Sequence, residues 1–356
     1  MKKVLIAMSG GVDSSVAAFL MKKNGYNCIG VTMKLFDNED IGIGRERTCC
    51  SLSDIEDARA VSYRLKIPYY VLNFKADFEE KVIKKFISVY EKGGTPNPCI
   101  DCNKYLKFNA LYSRADTLGY DYVATGHYAR ITFDENSGRY LLKKGVDDSK
   151  DQSYVLYNLT QKQLSRALFP LGEYTKEEIR KIAAEQGFIN ADKKDSQDIC
   201  FVQNGSYADF IKSHTGKKYL PGDFVLSDGT VLGKHGGIIN YTLGQRKGLG
   251  ISYSSPLYVI GKNVAENKII LGDSSSLFTH RVTAEKMNMV AAEKINSPLR
   301  AKAKIRYNMK EQSGILFQTD DDTIVLEIDE PQRAATAGQS LVVYDGDTVL
   351  CGGEIV

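Results

Sequence analysis

Three stretches of this chain carry residue types that do chemistry. Residues 9–15 read SGGVDSS and follow the apolar run KVLIAM. Glycines let a backbone approach a ligand closely, and consecutive N–H groups at a helix start make a nest for anions. Ser9, Ser14 and Ser15 add hydroxyl donors. The stretch is neither GxxxxGK[ST], since no lysine follows, nor GxGxxG. It reads as a cradle for phosphates or, more plainly, as a tight strand–helix turn. Residues 99–102 read CIDC, and a further thiol, Cys200, stands in DSQDICFV at 195–202. One CxxC pair is half of a zinc site and no second pair exists. Two thiols in polar loops suit redox chemistry better, one carrying a persulfide and the other reducing it. Residues 299–307, LRAKAKIRY, alternate basic and apolar side chains, so Arg300, Lys302, Lys304 and Arg306 share one face of a strand. That ladder suits phosphate contacts, or the protection of an exposed sheet edge.

These groups need a scaffold. The pattern predicts strands at 3–8, around YNCIGVTMKLF, at PYYVLNF and at YDYVATGHYAR. Helices are predicted at 14–24, after Ser53 and over FEEKVIKKFISVYEKG. Strand–helix alternation implies a parallel sheet covered on both faces, and it holds to about residue 205. In such a sheet ligands gather at the C-terminal strand ends, where SGGVDSS sits. From 218 to 272 the strands are short and punctuated by Gly, Pro and Asn, which predicts a small β-rich domain. From 280 onward longer alternating strands predict an antiparallel barrel or sandwich. The expected division is 1–205, 206–277 and 278–356.

Composition narrows the class. Hydrophobic residues make up 43% and charged residues 26%, as in ordinary globular proteins. No apolar run approaches the ~20 residues of a membrane span, and the N-terminus reads as a first strand instead of a signal peptide. The cytoplasm is the expected location, with no membrane partner. Net charge is only +3, but Lys286–Lys310 holds seven basic residues and one acid, Glu293. Seven cysteines, an odd number, argue against a disulfide framework. Cys28 reads as a core residue; Cys49, Cys50 and Cys351 carry no assignment.

SGGVDSS resembles the pyrophosphate loop of the N-type ATP pyrophosphatases, which split ATP between its α and β phosphates. The remaining motifs are more specific. TPNPCIDCNKYLKF (95–108), DSQDICFV, GKHGGIINYTLGQRKGLG (233–250) and QRAATAGQSLVVYDGD (332–347) occur in one chain and in order. Together they resemble the tRNA-specific 2-thiouridylase family along nearly the whole length. The resemblance implies an adenine nucleotide alpha hydrolase-like, doubly wound α/β domain, then a small β-rich domain and a C-terminal β-barrel. It implies a tRNA-uridine 2-sulfurtransferase that adenylates the wobble uridine and replaces its 2-oxygen with sulfur. ATP and Mg2+ are the implied cofactors. The implied partners are tRNA and a sulfur donor such as a cysteine desulfurase or sulfur-relay protein.

Carried over residue by residue, Ala7, Met8, Ser9, Gly10, Gly11, Val12, Asp13 and Ser14 would hold the phosphates, with Asp13 also near magnesium. Met33 and Gly126 would contact the rest of the nucleotide. Cys200 would bear the persulfide and Cys102 would attack it. Asn97, Pro98 and Cys99 would meet the target base. His127, Lys150, Asp151, Gln152, Arg306, Tyr307 and Gln339 would touch tRNA, although His127 could equally be packed beside the nucleotide. Lys234, His235, Arg246 and Lys247 could reach the anticodon stem or belong to a plain glycine-rich loop. Many family members have an acid where this chain has Cys99, and that acid's general-base role does not transfer to Asp101. Cys99 either lines the base pocket or joins Cys102 and Cys200 around a [4Fe–4S] cluster with one open iron.

Overall fold

The computed structural model describes residues 1–36, 52–195, 199–202 and 206–356. Cys49 and Cys50 lie outside the described residues. The first half supplies β1 (Lys3–Ala7), β2 (Asn27–Lys34), β3 (Tyr69–Asn73), β4 (Tyr122–Ala124), β5 (Ala129–Asp134), β6 (Arg139–Lys144) and β7 (Ala167–Leu168). Its main helices are α1 (Val12–Lys23), α2 (Leu52–Arg64), α3 (75–91), α4 (98–117) and α5 (Lys176–Glu185). Five strands form a parallel sheet in the order β3–β2–β1–β4–β7.

The pleat sorts the core. Val4 and Ile6 pack with α1, α2 and α5 on one face. Leu5 packs with α3 and α4 on the other. Strand order reverses between β1 and β4, and a crevice forms at such a switch point. The loop SGGVDSS leaves β1 there.

The apolar stretch 120–130, expected as one strand, is two. β4 ends at Ala124, and β5 begins at Ala129 in a different sheet. Gly126 lies in the break, where the chain must pass close to the phosphate loop. Periodicity cannot reveal such a handover, because both halves are apolar.

The middle segment supplies α6 (Tyr207–Thr215), β8 (Gly222–Leu226), β9 (Val231–His235), β10 (Tyr258–Asn263) and β11 (Lys268–Gly272). Its four strands pair in the order β10–β11–β8–β9. The last segment supplies β12 (Phe278–Met289), β13 (Leu299–Lys304), β14 (Gln312–Gln318), β15 (Ile324–Arg333), β16 (Ser340–Asp345) and β17 (Thr348–Ile355). They follow the order β12–β15–β14–β13–β16–β17, and β12 also pairs with β17, so the barrel closes. Ala301 and Ala303 of β13 fill its interior with Leu316, Leu326, Leu341 and Cys351. Because β13 pairs on both sides, Arg300 and Lys302 do not guard a sheet edge. The β5–β6 hairpin of the first half docks on β17 and extends this sheet. Among the described residues no helix is long and apolar enough to cross a membrane.

Candidate active site

The SGGVDSS loop, expected to cradle phosphates and called the phosphate loop for that expectation, is built by local chemistry. Gly10 adopts φ +77°, and a Cβ there would lie 2.3 Å from the Asp54 carbonyl oxygen, so only glycine fits. Ser14 and Ser15 at the start of α1 each donate to the Gly11 carbonyl at 3.0 Å. The Ser14 hydroxyl in turn accepts from the Ser9 amide at 3.1 Å. Asn190 donates to the Gly10 carbonyl and to Ser15, both at 2.9 Å. Gly126 meets the loop from β4, where a Cβ would come within 2.9 Å of the Asp13 carbonyl carbon and the Ser14 nitrogen. Met8, Val12 and Met33 are buried and form the apolar part of this end of the sheet, while Ala7 is partly buried.

Beneath the loop lies a charged network that sequence reasoning missed. Lys176 stands at the first position of α5, behind a Thr175–Glu178 capping box. A cation at a helix's positive end is unfavourable. Two carboxylates offset it, since Lys176 Nζ lies 2.7 Å from Asp13 Oδ1 and 2.7 Å from Asp195 Oδ1. The Tyr128 hydroxyl donates to Asp13 at 2.7 Å; burial first, and then the Asp13 charge, push that phenol far above its usual range. Lys150 and Arg180 also hold Asp195; burial raises that carboxyl, but Lys176 and Lys150 outweigh it and keep it below its ordinary value. Lys193 bridges Asp54 and Asp57 and reaches the Gly10 carbonyl. The one sequence signal was Asp195 itself, the first residue of DSQDICFV. It joins the Cys200 segment to the phosphate loop through a single lysine.

The cysteines sit on the neighbouring side. Asn97 caps α4 by accepting from the Cys99 amide at 3.2 Å, and Pro98 takes the first helical position. Cys99 is exposed, whereas Cys102 and Cys200 are partly buried. Cys102 opens a stretch of α4 wound in the wider π form, Cys102–Ala110. Such bulges recur at functional sites. Both Cys102 and Cys200 pack against the apolar cluster that holds Phe78, Phe86 and Phe201. Asp101 is buried and tied to Lys85 at 2.9 Å, so it belongs to an ion pair and not to the Cys99 surface. Among the described residues no three His, Cys, Asp or Glu are grouped to hold a metal ion. As described, Cys99, Cys102 and Cys200 are not grouped as ligands of one [4Fe–4S] cluster, and CIDC meets no further ligand pair among the described residues.

Of the residues expected at tRNA, Tyr307 and Gln339 bond across the seam between the α/β domain and the barrel. The Tyr307 hydroxyl donates to the Asp151 carbonyl at 3.2 Å; burial and the nearby Asp151 and Cys99 charges lift that phenol to about 12. Gln339 donates to the Thr95 carbonyl at 2.8 Å. Arg306 donates to the Ala334 carbonyl and the Thr336 hydroxyl, and Lys150 to Asp195. The Asp151 carboxylate is buried and accepts from the Gly145 and Ser153 amides. Gln152 accepts from the Tyr128 amide at 3.1 Å. His127 is buried between Phe108 and Phe169, as a packed histidine would be. In the middle domain His235 is likewise buried against the Asn267 carbonyl, while Arg246 and Lys247 are exposed.

Comparisons with known proteins bear on this arrangement. The family model described as "tRNA methyl transferase HUP domain" matches residues 2–204. "tRNA methyl transferase PRC-barrel domain" matches 208–273, and "Aminomethyltransferase beta-barrel domain" matches 279–355. A "tRNA-specific 2-thiouridylase MnmA" from Clostridioides difficile is 53% identical, covering 99% of this chain and 98% of that one. Proteins of the same description from Acetivibrio thermocellus and Lachnoclostridium phytofermentans are each 50% identical, over 99% and 100% of both chains. Among solved structures, a 4-thiouridine synthetase–RNA complex with bound ATP is 18% identical with a TM-score of 0.37, covering 60% of this chain and 50% of that one, a likeness too low to argue from. With half of its residues identical to these relatives from end to end, and with a phosphate loop and two cysteine segments on one α/β scaffold, the chain belongs to the tRNA-specific 2-thiouridylase family.

Proposed function

We propose that this protein is an ATP-dependent tRNA-uridine 2-sulfurtransferase. The observation that carries the reading is the Asp13–Lys176–Asp195 bridge, which ties the phosphate loop to the segment bearing Cys200. Energy from nucleotide cleavage and a sulfur carrier then meet at one site. The uridine O2 attacks the ATP α-phosphate, pyrophosphate leaves, and an O-adenylated uridine forms. The outer sulfur of a Cys200 persulfide is the sulfur that reaches C2. Attack of the Cys102 thiolate on Cys200 Sγ breaks the S–S bond, releases hydrosulfide and closes a Cys102–Cys200 disulfide. Hydrosulfide displaces AMP, leaving 2-thiouridine. A cellular reductant such as a dithiol must then reopen the disulfide.

Residues Ala7–Ser14 hold the phosphates, with Met33 and Gly126 on the rest of the nucleotide. Magnesium would neutralise the phosphates, and Asp13, held from behind by Lys176 and Tyr128, is the loop carboxylate that would meet it. Asn97, Pro98 and Cys99 meet the target base. Lys150, Asp151, Gln152, Arg306, Tyr307 and Gln339 form the tRNA-facing seam. His127, being buried, takes part from behind it. Residues 1–205 act as the catalytic domain, 206–277 as the connecting domain and 278–356 as the tRNA-binding barrel. A cysteine desulfurase or a sulfur-relay protein supplies the persulfide in the cytoplasm.

The word methyl in two of the family descriptions suggests another transfer. Methyl transfer needs neither an ATP-splitting loop nor a pair of thiols, so the sulfur reading is favoured. The test mixes iron-free protein with ATP, magnesium, unmodified tRNA and sulfide, and runs the tRNA on a mercury gel. A retarded band that disappears without ATP supports the proposal. A tRNA that stays unretarded with ATP and sulfide present would end it.

A further inference from the structure

The ammonium of Lys107 stands beside the residue that follows Gly126, without a carboxylate within ion-pair distance among the described residues. It is partly buried, and the group it touches is the Nε2 of His127, at 3.5 Å. An ammonium can only donate, so Nε2 accepts, and the imidazole proton sits on Nδ1. There it meets the Thr125 hydroxyl at 2.6 Å. Both ring nitrogens are thereby used inside the protein. The phenyl rings of Phe108 and Phe169 flank the imidazole, with ring centres 5.9 and 5.7 Å away. His127 thus presents a neutral lone pair in a dry, aromatic pocket and holds the end of Lys107 with it.

The position matters as much as the isolation. His127 follows Gly126, whose backbone lies against Asp13 and Ser14 of the phosphate loop. Lys107 lies on α4, five residues beyond Cys102, inside the π-wound stretch that Cys102 opens. Every other cation named around the loop has an acid: Lys176, Lys193, Lys150 and Arg180 all do. The loop itself has no lysine. A partly buried ammonium that lacks a counter-ion, held by the residue that follows Gly126 beside the loop, is completed by an anion.

We infer that Lys107 is a phosphate ligand, held by His127, which binds the nucleotide's phosphate on the side facing Cys102. This rests on the reading above that SGGVDSS binds ATP. A tRNA backbone phosphate has the same chemistry. The nucleotide is favoured because Gly126 places His127 against the loop, whereas Arg306, Tyr307 and Gln339, expected at tRNA, belong to the barrel side.

The test uses the full-length protein, ATP and unmodified tRNA, and follows tRNA-dependent pyrophosphate release. Lys107→Met is expected to lower kcat/KM for ATP roughly 10- to 100-fold. Its tRNA Kd and the salt dependence of that Kd should stay as in wild type. Lys107→Arg should recover part of the loss. His127→Gln should lower kcat/KM in the same direction but less, since its amide oxygen can still accept from Lys107. Should Lys107→Met fold poorly, acetylation of Lys107 in the wild-type protein gives a second readout, with protection expected from AMP alone. Unchanged kcat/KM overturns the inference. So does a weaker tRNA Kd with a salt slope reduced by about one, because that assigns Lys107 to the RNA backbone. Absence of pyrophosphate release by the wild type would instead sink the parent reading.

Discussion

The two sides of the phosphate loop are built on opposite principles. Beneath it, charges neutralise one another: Asp13 with Lys176, Lys176 with Asp195, and Lys193 with Asp54 and Asp57. At the Gly126 rim, rings replace carboxylates, and a lysine rests on a neutral imidazole. A saturated network fixes a shape and, Asp13 apart, has little left to offer a ligand. The rim has the reverse character, with an unsatisfied charge and few ways of its own to satisfy it. Stability should therefore respond to substitutions beneath the loop, and catalysis to substitutions at the rim.

The two glycines make the sharpest contrast. Gly10→Ala forces a side chain into a left-handed conformation and into the Asp54 carbonyl. It should cost about 3–5 kcal/mol or prevent folding, read as urea midpoint and yield. Gly126→Ala carries no positive-φ penalty and only crowds Asp13 and Ser14. It should cost about 1–3 kcal/mol while weakening ATP binding sharply. If both variants unfold equally, the distinction between the two sides fails. Next in size, Lys176→Met leaves Asp13 and Asp195 without their shared cation. Both acids are about 30% exposed, so about 1–3 kcal/mol is expected instead of the larger figure for a fully buried pair. A double-mutant cycle with Asp195→Asn should show coupling above about 0.5 kcal/mol.

The rim predicts a pH effect. Burial, with help from the Lys107 charge, holds the His127 imidazole well below its ordinary 6.5. The unfolded chain takes up that proton first as pH falls. The stabilisation is present above about pH 6.5 and is lost below it, with a slope of up to about 1.4 kcal/mol per pH unit. His127→Gln should flatten this part of the stability profile; an unchanged slope would mean that another group titrates there. The smallest effect belongs to the barrel. Arg300 and Asp329 form an exposed pair, so Arg300→Ala should change stability by no more than about 1 kcal/mol. It should still reduce the salt slope of tRNA binding by about one if the outer face of β13 meets phosphate.

Sequence made part of this legible. Glycine–serine chemistry at a strand end is local, so SGGVDSS could be read from its own residues. Alternation placed Ala301 and Ala303 inward and Arg300 and Lys302 outward before the barrel was seen. Cys28 was legible as core from its apolar strand, and burial raises its thiol to about 11. What stayed hidden depends on distant pairing. Lys176 is an ordinary helix-start lysine until Asp13 arrives from 163 residues away. Lys107 gains meaning only beside His127. The barrel's closure by β12 and β17, and the transfer of β5–β6 to that sheet, leave no periodic trace, because a strand's pattern records its faces and not its neighbours.

That borrowed hairpin has a consequence in time. Arg130 and Lys143 both reach Asp347, and Arg139 donates to the Met289 and Val290 carbonyls. These partners leave the ribosome some 150 to 200 residues after the hairpin does. At 5–20 residues per second the delay is roughly 10–40 s. Throughout it the emerging chain displays an unpaired β6 edge, with the Phe133–Tyr140 ring pair beside it. A nascent chain stalled within that interval would be a natural client for a chaperone that grips extended apolar strands.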